Sequence, residues 1–470
     1  MKRIVIIGGG IAGLSAAFYL EQAKRSGAAL DYVLFEASER LGGVLRTERV
    51  DDCLVEAGPD SFLTEKLWAA ELCRELGLAD QLIGSNDGLR RTWIVVNRRL
   101  RPLPDGLQFM VPTRTWPIVF SRLFSTRTKL RMIGELFSPA HSSPADESAA
   151  ALVERHFGRE VVERLADPLL AGVYGGDATR LSARAVLPRF AAMEAQTGSL
   201  IRGMLAARRK HAGAPPQPLF TSLKGGMQQL VDAVVARLQP SALRTAMPVT
   251  GLRREGARWL VTLASGPAES FDSVVLAVPA FRASDLLEPA SSALAAVLAQ
   301  IPYNNAMTVA LGFDAESLLP SLRWRFDTGH GFLVPRREGR CLLACTYVHN
   351  KFPHRAPKGR LLLRTFLNDR HRDLVGLSDE EAVQVVRLEL RYILGLYAEP
   401  RFVRLYRWPA AMAQYEVGHL DRLAEIALLR QSLPGLALIG NAYRGIGVPD
   451  CIRSGRDAAA EIVNSLQLSS

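Results

Sequence analysis

The stretch KRIVIIGGGIAGLSAAFYL at residues 2–20 joins a short apolar run to a glycine-rich turn and a helix-like segment. An uninterrupted apolar run is typical of a strand buried on both faces of a parallel sheet. The turn has the pattern G-x-G-x-x-G, formed by Gly8, Gly10 and Gly13. These glycines permit a tight turn, a close approach of backbone to a pyrophosphate, and close packing of helix on strand. The segment predicts a dinucleotide site in a doubly wound α/β domain; the alternative is a glycine-rich turn without a ligand.

An acidic residue at the end of the next predicted strand supports this site. The segment DYVLFE at 31–36 ends in Glu36, 23 residues after Gly13. A carboxylate at this spacing suits a ribose hydroxyl and disfavours a 2′-phosphate. The turn residues expected at the ligand also include Gly9, Ile11 and Ala12.

Motifs that begin at Glu36 carry a family resemblance. The segment EASERLGG at 36–43 has the pattern Glu-x-x-x-Arg-x-Gly-Gly, and VEAGPDSFL follows at 55–63. In order and spacing, these motifs resemble the FAD-dependent family that includes amine oxidases, phytoene desaturases and protoporphyrinogen oxidases. The resemblance implies noncovalent FAD, with its pyrophosphate along the first motif and its flavin ring beside the second. The residues implied are Ala37, Arg40, Gly42, Gly43, Val44, Gly58, Pro59, Asp60 and Ser61.

A second glycine-rich turn, GNAYRGIGVPDC at 440–451, is assigned to the same site. The segment LALIG at 436–440 predicts a strand, and Pro449 fits the first turn of a helix. The resemblance implies that this helix N-terminus lies near the flavin, where negative charge builds up on reduction. The alternative is an ordinary turn between strand and helix. Because Cys451 falls within the predicted helix, no covalent flavin link through it is expected. The implied contacts are Gly440, Asn441, Gly445, Ile446, Gly447 and Val448.

Two residues elsewhere in the chain are also assigned to the cofactor. Val249 follows a predicted helix at 223–238, and the resemblance places it at the adenosine part of FAD. Trp408 precedes the segment PAAMAQY and is predicted to pack near the flavin. A buried structural tryptophan is the alternative for Trp408.

Five stretches resemble the protoporphyrinogen and coproporphyrinogen oxidase branch of that family. They are GPDSFL (58–63), DPLLAGVYGGDATRLSARAVLPRF (167–190), SLKGGMQQL (222–230), PAAMAQYEVGHL (409–420) and GNAYRGIGVPDCI (440–452). The resemblance implies six-electron oxidation of a porphyrinogen in haem biosynthesis, with molecular oxygen as acceptor and hydrogen peroxide as product. No obligatory acid or base is assigned, because hydride loss to the flavin requires mainly positioning. A downstream enzyme of the haem pathway is a further implied partner.

Two residues are predicted to contact the substrate. Asp60 stands where mitochondrial relatives often have an arginine that holds a propionate, so the propionates must bind elsewhere. Lys66 is the candidate, because it follows the same turn and the resemblance matches it to a substrate-side lysine of the coproporphyrinogen-oxidising group; a solvated lysine is the alternative. Phe332 is a candidate cavity wall, with a core strand residue as the alternative. The GPDSF sequence resembles the bacterial coproporphyrinogen group more than the mitochondrial one, and this resemblance favours coproporphyrinogen III over protoporphyrinogen IX. The other interpretations are a related amine oxidase or desaturase, and a flavin or tetrapyrrole carrier without turnover.

The charge balance predicts an anionic partner. The chain has 58 lysines and arginines against 47 acidic residues, a formal net charge of +11. Porphyrinogen carboxylates or an anionic membrane would suit this charge. Nucleic acid is not expected, because the basic residues are dispersed and no nucleic-acid motif appears. The five cysteines lack metal-site spacing and suggest reduced thiols in the cytoplasm.

A basic amphipathic segment at 115–137 predicts peripheral contact with the cytoplasmic face of the inner membrane. No signal peptide is expected before the first strand, and no apolar run reaches the length of a spanning helix. The alternative for the segment is a helix packed on its neighbours. The predicted apolar stripe consists of Trp116, Phe120, Leu123, Leu130, Ile133 and Phe137.

The predicted architecture is α/β: a doubly wound, Rossmann-like FAD-binding domain, a sheet-based substrate domain and a helical, membrane-facing insertion. The FAD-binding domain is assembled from residues 1–84, 214–290 and 415–470. The helical insertion occupies 85–213 and the substrate domain 291–414. A basic, proline-rich loop at 207–218 is expected to lead back to the FAD-binding domain.

Overall fold

The computed structural model of the chain describes residues 1–140, 145–210, 217–367, 374 and 376–467. Its strands are β1 (Lys2–Ile7), β2 (Leu30–Phe35), β3 (Thr47–Val50), β4 (Cys53–Glu56), β5 (Phe62–Leu63), β6 (Leu82–Gly84), β7 (Thr92–Val96), β8 (Arg99–Pro102), β9 (Leu107–Gln108), β10 (Val111–Pro112), β11 (Phe220–Leu223), β12 (Leu243–Arg244), β13 (Val249–Glu255), β14 (Arg258–Leu263), β15 (Glu269–Phe271), β16 (Ser273–Leu276), β17 (Tyr303–Asp314), β18 (Gly331–Leu333), β19 (Leu342–Tyr347), β20 (Arg360–Leu367), β21 (Phe402–Ala413) and β22 (Leu436–Leu438). Its helices are α1 (Ile11–Arg25), α2 (Trp68–Glu75), α3 (Thr115–Phe120), α4 (Thr126–Gly134), α5 (Ala149–Phe157), α6 (Arg159–Val161), α7 (Asp167–Tyr174), α8 (Ala183–Val186), α9 (Pro188–Thr197), α10 (Leu200–Lys210), α11 (Gln228–Val235), α12 (Ala280–Leu287), α13 (Ser292–Ala299), α14 (Pro320–Arg323), α15 (Val348–Lys351), α16 (Asp379–Leu394), α17 (His419–Arg430) and α18 (Val448–Gln467).

The strand predicted at the amino terminus is the centre of a five-stranded parallel sheet. The sheet has the order β12-β2-β1-β16-β22, and every neighbouring pair runs parallel. Successive side chains of β1 point to opposite faces. Ile4 and Ile6 pack under α1, α11 and α18, whereas Val5 and Ile7 pack against α12, α13 and the antiparallel strands β13, β14 and β15. The predicted doubly covered α/β sheet is therefore confirmed, and it draws strands from three distant parts of the chain.

A second sheet has seven strands in the order β21-β17-β20-β19-β18-β7-β8. One face packs on α16 through buried aliphatic and aromatic side chains. The assignment of residues 85–213 to a helical insertion is wrong at its start, because β7 and β8 extend this sheet. The apolar run TWIVV at Thr92–Val96 pairs in parallel with Gly331–Leu333 of β18, and burial of Ile94 and Val95 stabilises it there.

The predicted start of the substrate domain is also wrong. The prediction starts that domain at residue 291, but α13 packs on α12 and α17 against the parallel sheet. Leu294 and Leu298 of α13 are fully buried in that contact. After β7 and β8, the chain returns to the seven-stranded sheet, named the substrate sheet after the predicted domain, only at Tyr303, where β17 pairs with β20 and β21.

Helices α3 to α10 form a separate unit around one apolar core. The predicted single stripe at 115–137 is divided between α3, α4 and a short turn of helix at Glu135–Phe137. Leu123, between the two helices, is fully buried and is a core residue, while the other five stripe residues are exposed. Among the described residues, no helix is long and apolar enough to cross a membrane. The 211–216 part of the predicted return loop lies outside the described residues.

Candidate active site

The glycine-rich turn after β1 forms an open cradle. Gly8 has a φ of +109°, and a Cβ atom there would lie 2.6 Å from the Ala277 carbonyl oxygen. A Cβ atom at Gly13 would lie 1.9 Å from the Gly8 carbonyl oxygen, so α1 approaches the turn more closely than a larger residue permits. At Gly10, by contrast, a Cβ atom would meet nothing within 4 Å. The first and third glycines therefore serve packing, and the second faces free space at the N-terminus of α1.

Glu36 is fixed at the mouth of this turn. Its Oε2 accepts a hydrogen bond of 2.6 Å from the Gly9 amide, and its Oε1 accepts from the amide and hydroxyl of Ser38 at 2.9 and 2.8 Å. The Met247 amide donates to the Glu36 carbonyl oxygen at 3.0 Å. This contact brings the start of β13, with the half-buried Val249, beside Glu36.

The loop at 40–45 packs directly on the cradle. The Gly42 amide donates to the Gly9 carbonyl oxygen at 2.7 Å, and a Cβ atom at Gly43 would lie 3.2 Å from the Cα of Gly10. The Arg40 guanidinium donates to the carbonyl oxygens of Leu41 and Leu45 at 2.9 Å, and to that of Gly43. Arg40 thus stabilises the 40–45 loop to which it belongs. Ala37 precedes the loop, and the exposed side chain of Val44 follows Gly43.

The segment predicted beside the flavin is held by the substrate sheet. A Cβ atom at Gly58 would lie 1.8 Å from the Val44 carbonyl oxygen, so this segment borders the same cleft. The Ala57 carbonyl oxygen accepts hydrogen bonds from Thr308 Oγ1 at 3.1 Å and from Trp408 Nε1 at 3.0 Å. Arg364 donates to the carbonyl oxygen of Gly58, the residue before Pro59. Trp408 therefore lies next to the predicted segment, and its indole nitrogen has a defined partner.

Asp60 is paired inside the protein. Both of its carboxylate oxygens lie 3.0 Å from Lys351 Nζ, which also donates to Ser61 Oγ at 3.0 Å. Burial alone would raise the pKa of Asp60, but the Lys351 ammonium and the Arg364 guanidinium hold it well below its usual range. The Asp60 side chain is therefore an internal partner of Lys351.

A second buried ion pair lies just before this segment. Arg355 Nη1 is 2.8 Å from Glu56 Oε1, and both side chains are less than 5% exposed. Glu56 also accepts from Thr47 Oγ1 at 2.7 Å and from the Met227 amide at 3.0 Å. Arg355 donates to Ser222 Oγ at 2.8 Å. These contacts join the substrate domain to two segments of the parallel-sheet domain.

The glycine-rich turn after β22 opens at the same edge of the sheet. Because β1 and β22 run parallel, the turns that follow them lie at the same end. Gly440 has a φ of +115°, and a Cβ atom there would meet nothing within 4 Å. The predicted helix follows as α18, with the neighbouring Ile446, Gly447 and Val448 at its start. Helix α18 packs closely on α1, since a Cβ atom at Gly455 would lie 2.4 Å from the Ala12 carbonyl oxygen.

Tyr415 holds the glycine-rich turn after β22 through two hydrogen bonds. Its hydroxyl donates to the Asn441 carbonyl oxygen at 2.8 Å and accepts from the Gly445 amide at 2.8 Å. Its ring stacks on His419 with the centroids 4.1 Å apart. The Asn441 side chain donates to the Ala411 carbonyl oxygen at 2.9 Å. The turn is therefore tied to the end of β21.

We expect Tyr415→Phe to loosen this turn. The change leaves the half-buried Gly445 amide and Asn441 carbonyl without their partner, which costs about 0.5–1.5 kcal/mol of unfolding free energy. Chemical denaturation measures this loss, and titration of the apoprotein with flavin nucleotide measures the accompanying loss of affinity. Tyr397→Phe is the matched control, since Tyr397 is 64% exposed. Equal stability and affinity in the Tyr415 variant and the wild type would contradict the assignment.

The two predicted substrate residues have different surroundings. Lys66 Nζ lies 2.5 Å from Asp450 Oδ2 in the first turn of α18, and about a third of the lysine side chain is exposed. The lysine is thus paired across the cleft rather than fully solvated. Phe332 is only 1% exposed, and its ring packs edge-on against Tyr347. This packing is that of the core strand alternative.

Comparison with known proteins identifies the family. A family model described as flavin-containing amine oxidoreductase matches residues 11–463. The chain belongs to this family. It is therefore a flavin-dependent oxidoreductase, and the open cradle at Gly10 and Gly440 fits the phosphate and ring portions of such a cofactor.

Proteins named as coproporphyrinogen or protoporphyrinogen oxidases are similar to the chain over nearly its full length. The coproporphyrinogen III oxidase of Bacillus subtilis strain 168 is 35% identical, with 99% of this chain and 98% of that protein covered. The chloroplastic protoporphyrinogen oxidase 1 of Spinacia oleracea is 31% identical, with 98% and 84% covered. A crystal structure of a provisionally named protoporphyrinogen oxidase from Exiguobacterium sp. 255-15 superposes with a TM-score of 0.87 at 32% identity, with 99% of each chain covered.

Proposed function

We propose that the protein is an FAD-dependent oxidase that converts a porphyrinogen to a porphyrin in haem biosynthesis. Coproporphyrinogen III is favoured over protoporphyrinogen IX as substrate, with molecular oxygen as acceptor and hydrogen peroxide as product. The observation that carries the proposal is the 35% identity to a coproporphyrinogen III oxidase over nearly all of both chains. Delivery of the porphyrin to a downstream enzyme of the haem pathway is part of the same proposal.

Noncovalent FAD fits the residues at the cleft. The Glu36 carboxylate at the mouth of the first turn suits an adenosine ribose, and Val249 lies two residues after Met247, whose amide contacts the Glu36 main chain. The rest of the FAD molecule would be surrounded by five parts of the chain: the cradle from Gly8 to Gly13, the 40–45 loop, residues 58–61, Trp408 and the turn at 440–448. Burial and the Asp450 carboxylate raise the pKa of the Cys451 thiol to about 12, so this cysteine is no nucleophile for a covalent link.

The side chains at the cleft have positioning roles in this proposal. Bound FAD would supply the hydride acceptor for oxidation of the meso carbons of the porphyrinogen. The Lys66 side chain is one third exposed, so its ammonium can bind a propionate carboxylate although it is paired with Asp450. Asp60 cannot bind an anion, and its partner Lys351 is only 10% exposed, so that lysine is not available for the same task. Thr308, Trp408 and Arg364 hold the Ala57–Gly58 peptide and so fix one side of the cleft.

The test is the appearance of porphyrin fluorescence from the FAD-loaded protein. Coproporphyrinogen III and protoporphyrinogen IX are supplied in parallel under air, with heat-denatured protein and free FAD as blanks. Faster emission from coproporphyrinogen III is expected, with hydrogen peroxide formed in proportion. No protein-dependent emission from either substrate would refute the proposal. Turnover of a primary amine in its place would favour the amine oxidase alternative.

We further propose that the α3–α4 face rests on an anionic membrane surface on the cytoplasmic side. Four large apolar side chains are 65–81% exposed there: Trp116, Phe120, Leu130 and Phe137. The rings of Trp116 and Phe120 stack on each other with centroids 6.1 Å apart. Exposed arginines at 122, 127 and 131 lie among them. Aromatic side chains with interspersed cations suit the headgroup region of an anionic bilayer.

We expect the double variant Trp116→Ser/Phe137→Ser to lose binding to phosphatidylserine vesicles. Cosedimentation at low salt measures the fraction of protein bound to the vesicles. This fraction should fall severalfold, because two aromatic side chains that would insert into the bilayer interface are removed. Trp324→Ser is the control, because Trp324 is 57% exposed on the substrate domain. If the control loses as much binding as the double variant, or if wild-type protein stays in the supernatant, the membrane proposal fails.

A further inference from the structure

The N-terminus of α18 carries a buried carboxylate. Asp450, in the first helical turn, is only 5% exposed, and its Oδ2 accepts a hydrogen bond of 3.2 Å from the Gly447 amide. A helix N-terminus is equivalent to about half a positive charge. The full negative charge of Asp450 outweighs it, so the bare helix end would not favour further negative charge nearby.

The ion pair with Lys66 compensates the negative charge of Asp450. Lys66 Nζ lies 2.5 Å from Asp450 Oδ2, across the cleft from α18. Among the described residues, Asp450 has one other ion pair, with Arg453, whose Nη2 lies 3.9 Å from Asp450 Oδ1 and donates to the Arg444 carbonyl oxygen at 2.9 Å. The short ion pair with Lys66 therefore neutralises Asp450 and leaves the partial positive charge of the helix end effective.

The pair also lies where its charge acts on the cofactor cleft. Asp450 contacts the glycine-rich turn, because a Cβ atom at Gly445 would lie 2.3 Å from the Asp450 Cγ. Lys66 follows the Gly58–Ser61 segment, which borders the cleft from the other side. Both partners are at least partly buried, so water screens them less than a surface pair.

We infer that Asp450 and Lys66 are positioning residues that act as one charge-compensated unit and set how readily the bound flavin is reduced. This inference rests on the FAD site of the proposed function, and it does not depend on which substrate is oxidised. Reduction adds negative charge to a flavin, and nearby protein charge tunes that step. Removing the lysine therefore disfavours reduction, and removing the carboxylate favours it.

The test is the two-electron reduction potential of the FAD-loaded protein, measured by equilibration with a redox dye. We expect Lys66→Met to lower the ratio of reduced to oxidised flavin at a fixed potential about tenfold, which corresponds to about −30 mV for two electrons. Asp450→Asn should raise that ratio about tenfold. The double variant should return close to the wild-type value, and Lys66→Arg should preserve it.

Glu65→Gln is the matched control. Glu65 precedes Lys66 and forms an exposed ion pair with Arg189 at 2.9 Å, so its loss should leave the potential unchanged. A purely structural latch would lower the melting temperature in both single variants without opposite shifts in potential. Shifts of the same sign, or none larger than that of Glu65→Gln, would overturn the inference. The potential is measured without a porphyrinogen, so absence of porphyrinogen turnover would count against the proposed function alone.

Discussion

Replacing Gly10 with valine should remove FAD binding and leave the fold intact. The backbone at Gly10 has φ −70° and ψ 176°, which valine adopts without strain, and a Cβ atom there meets nothing within 4 Å. The new side chain instead fills the space at the N-terminus of α1 that a pyrophosphate would occupy. We expect the affinity for FAD to fall about 100-fold, equal to about 2.8 kcal/mol. Fluorescence titration of the apoprotein measures this change.

Gly134→Val is the matched control for that experiment. Gly134 also has a negative φ, and a Cβ atom there would meet nothing within 4 Å, but it lies at the exposed end of α4. Its replacement should change stability by less than about 0.5 kcal/mol and leave FAD affinity unaltered. If the Gly10 variant keeps wild-type affinity, the cradle is not the phosphate site. If it fails to fold, the space at Gly10 is not free.

The largest loss of stability is expected from Arg355→Met. Arg355 is 1% exposed and is the ion-pair partner of the buried Glu56. Burial raises the pKa of Glu56, while the Arg355 guanidinium opposes that shift. Removing the arginine leaves an uncompensated carboxylate at the junction of the two sheets. Such losses typically cost about 3–5 kcal/mol, and the free energy of unfolding in urea would show it.

An exposed ion pair supplies the comparison. Arg401 lies 2.8 Å from Asp51 Oδ2, with 45% of its side chain exposed. Arg401→Met should cost no more than about 1 kcal/mol, because water screens the pair. The double variant Glu56→Gln/Arg355→Met should be more stable than Arg355→Met alone, since no buried charge is then left unpaired. Equal losses at the exposed and buried sites would show that burial does not set the cost.

Local patterns in the sequence were sufficient for the parallel sheet. The run at 2–7, the glycine turn and the helical segment after it follow from short-range rules, and β1 and α1 confirm them. The helix predicted after Gly447 is confirmed for the same reason. The place of β7 in the seven-stranded sheet was missed because its partner there, β18, lies more than two hundred residues further along the chain, and β8 enters the sheet only through its hairpin with β7. Pairing over such a separation leaves no local pattern.

The partners of the site residues were also beyond local reasoning. Asp60 is unusual by sequence alone, but its partner Lys351 belongs to a short helix with no motif. Thr308 and Arg364 did carry a signal, since Thr308 interrupts the apolar run at 306–311 and Arg364 follows three leucines at 361–363. Buried polar side chains need hydrogen-bond partners. That rule predicts that a partner exists, but only the fold shows that it is the Ala57–Gly58 peptide.

The strand order of the parallel sheet has a consequence for how the protein matures on the ribosome. Strand β22 and helix α18 are synthesised after the substrate sheet and the helical unit, yet they complete the sheet around β1 and pack on α1. Strands β1 and β16 and helix α1 therefore keep apolar surface exposed until β22 and α18 have been synthesised. Contacts between such distant parts of a chain form slowly and expose the nascent protein to aggregation. We therefore expect the proposed cofactor site, which includes the turn between β22 and α18, to form only after this last segment has been synthesised.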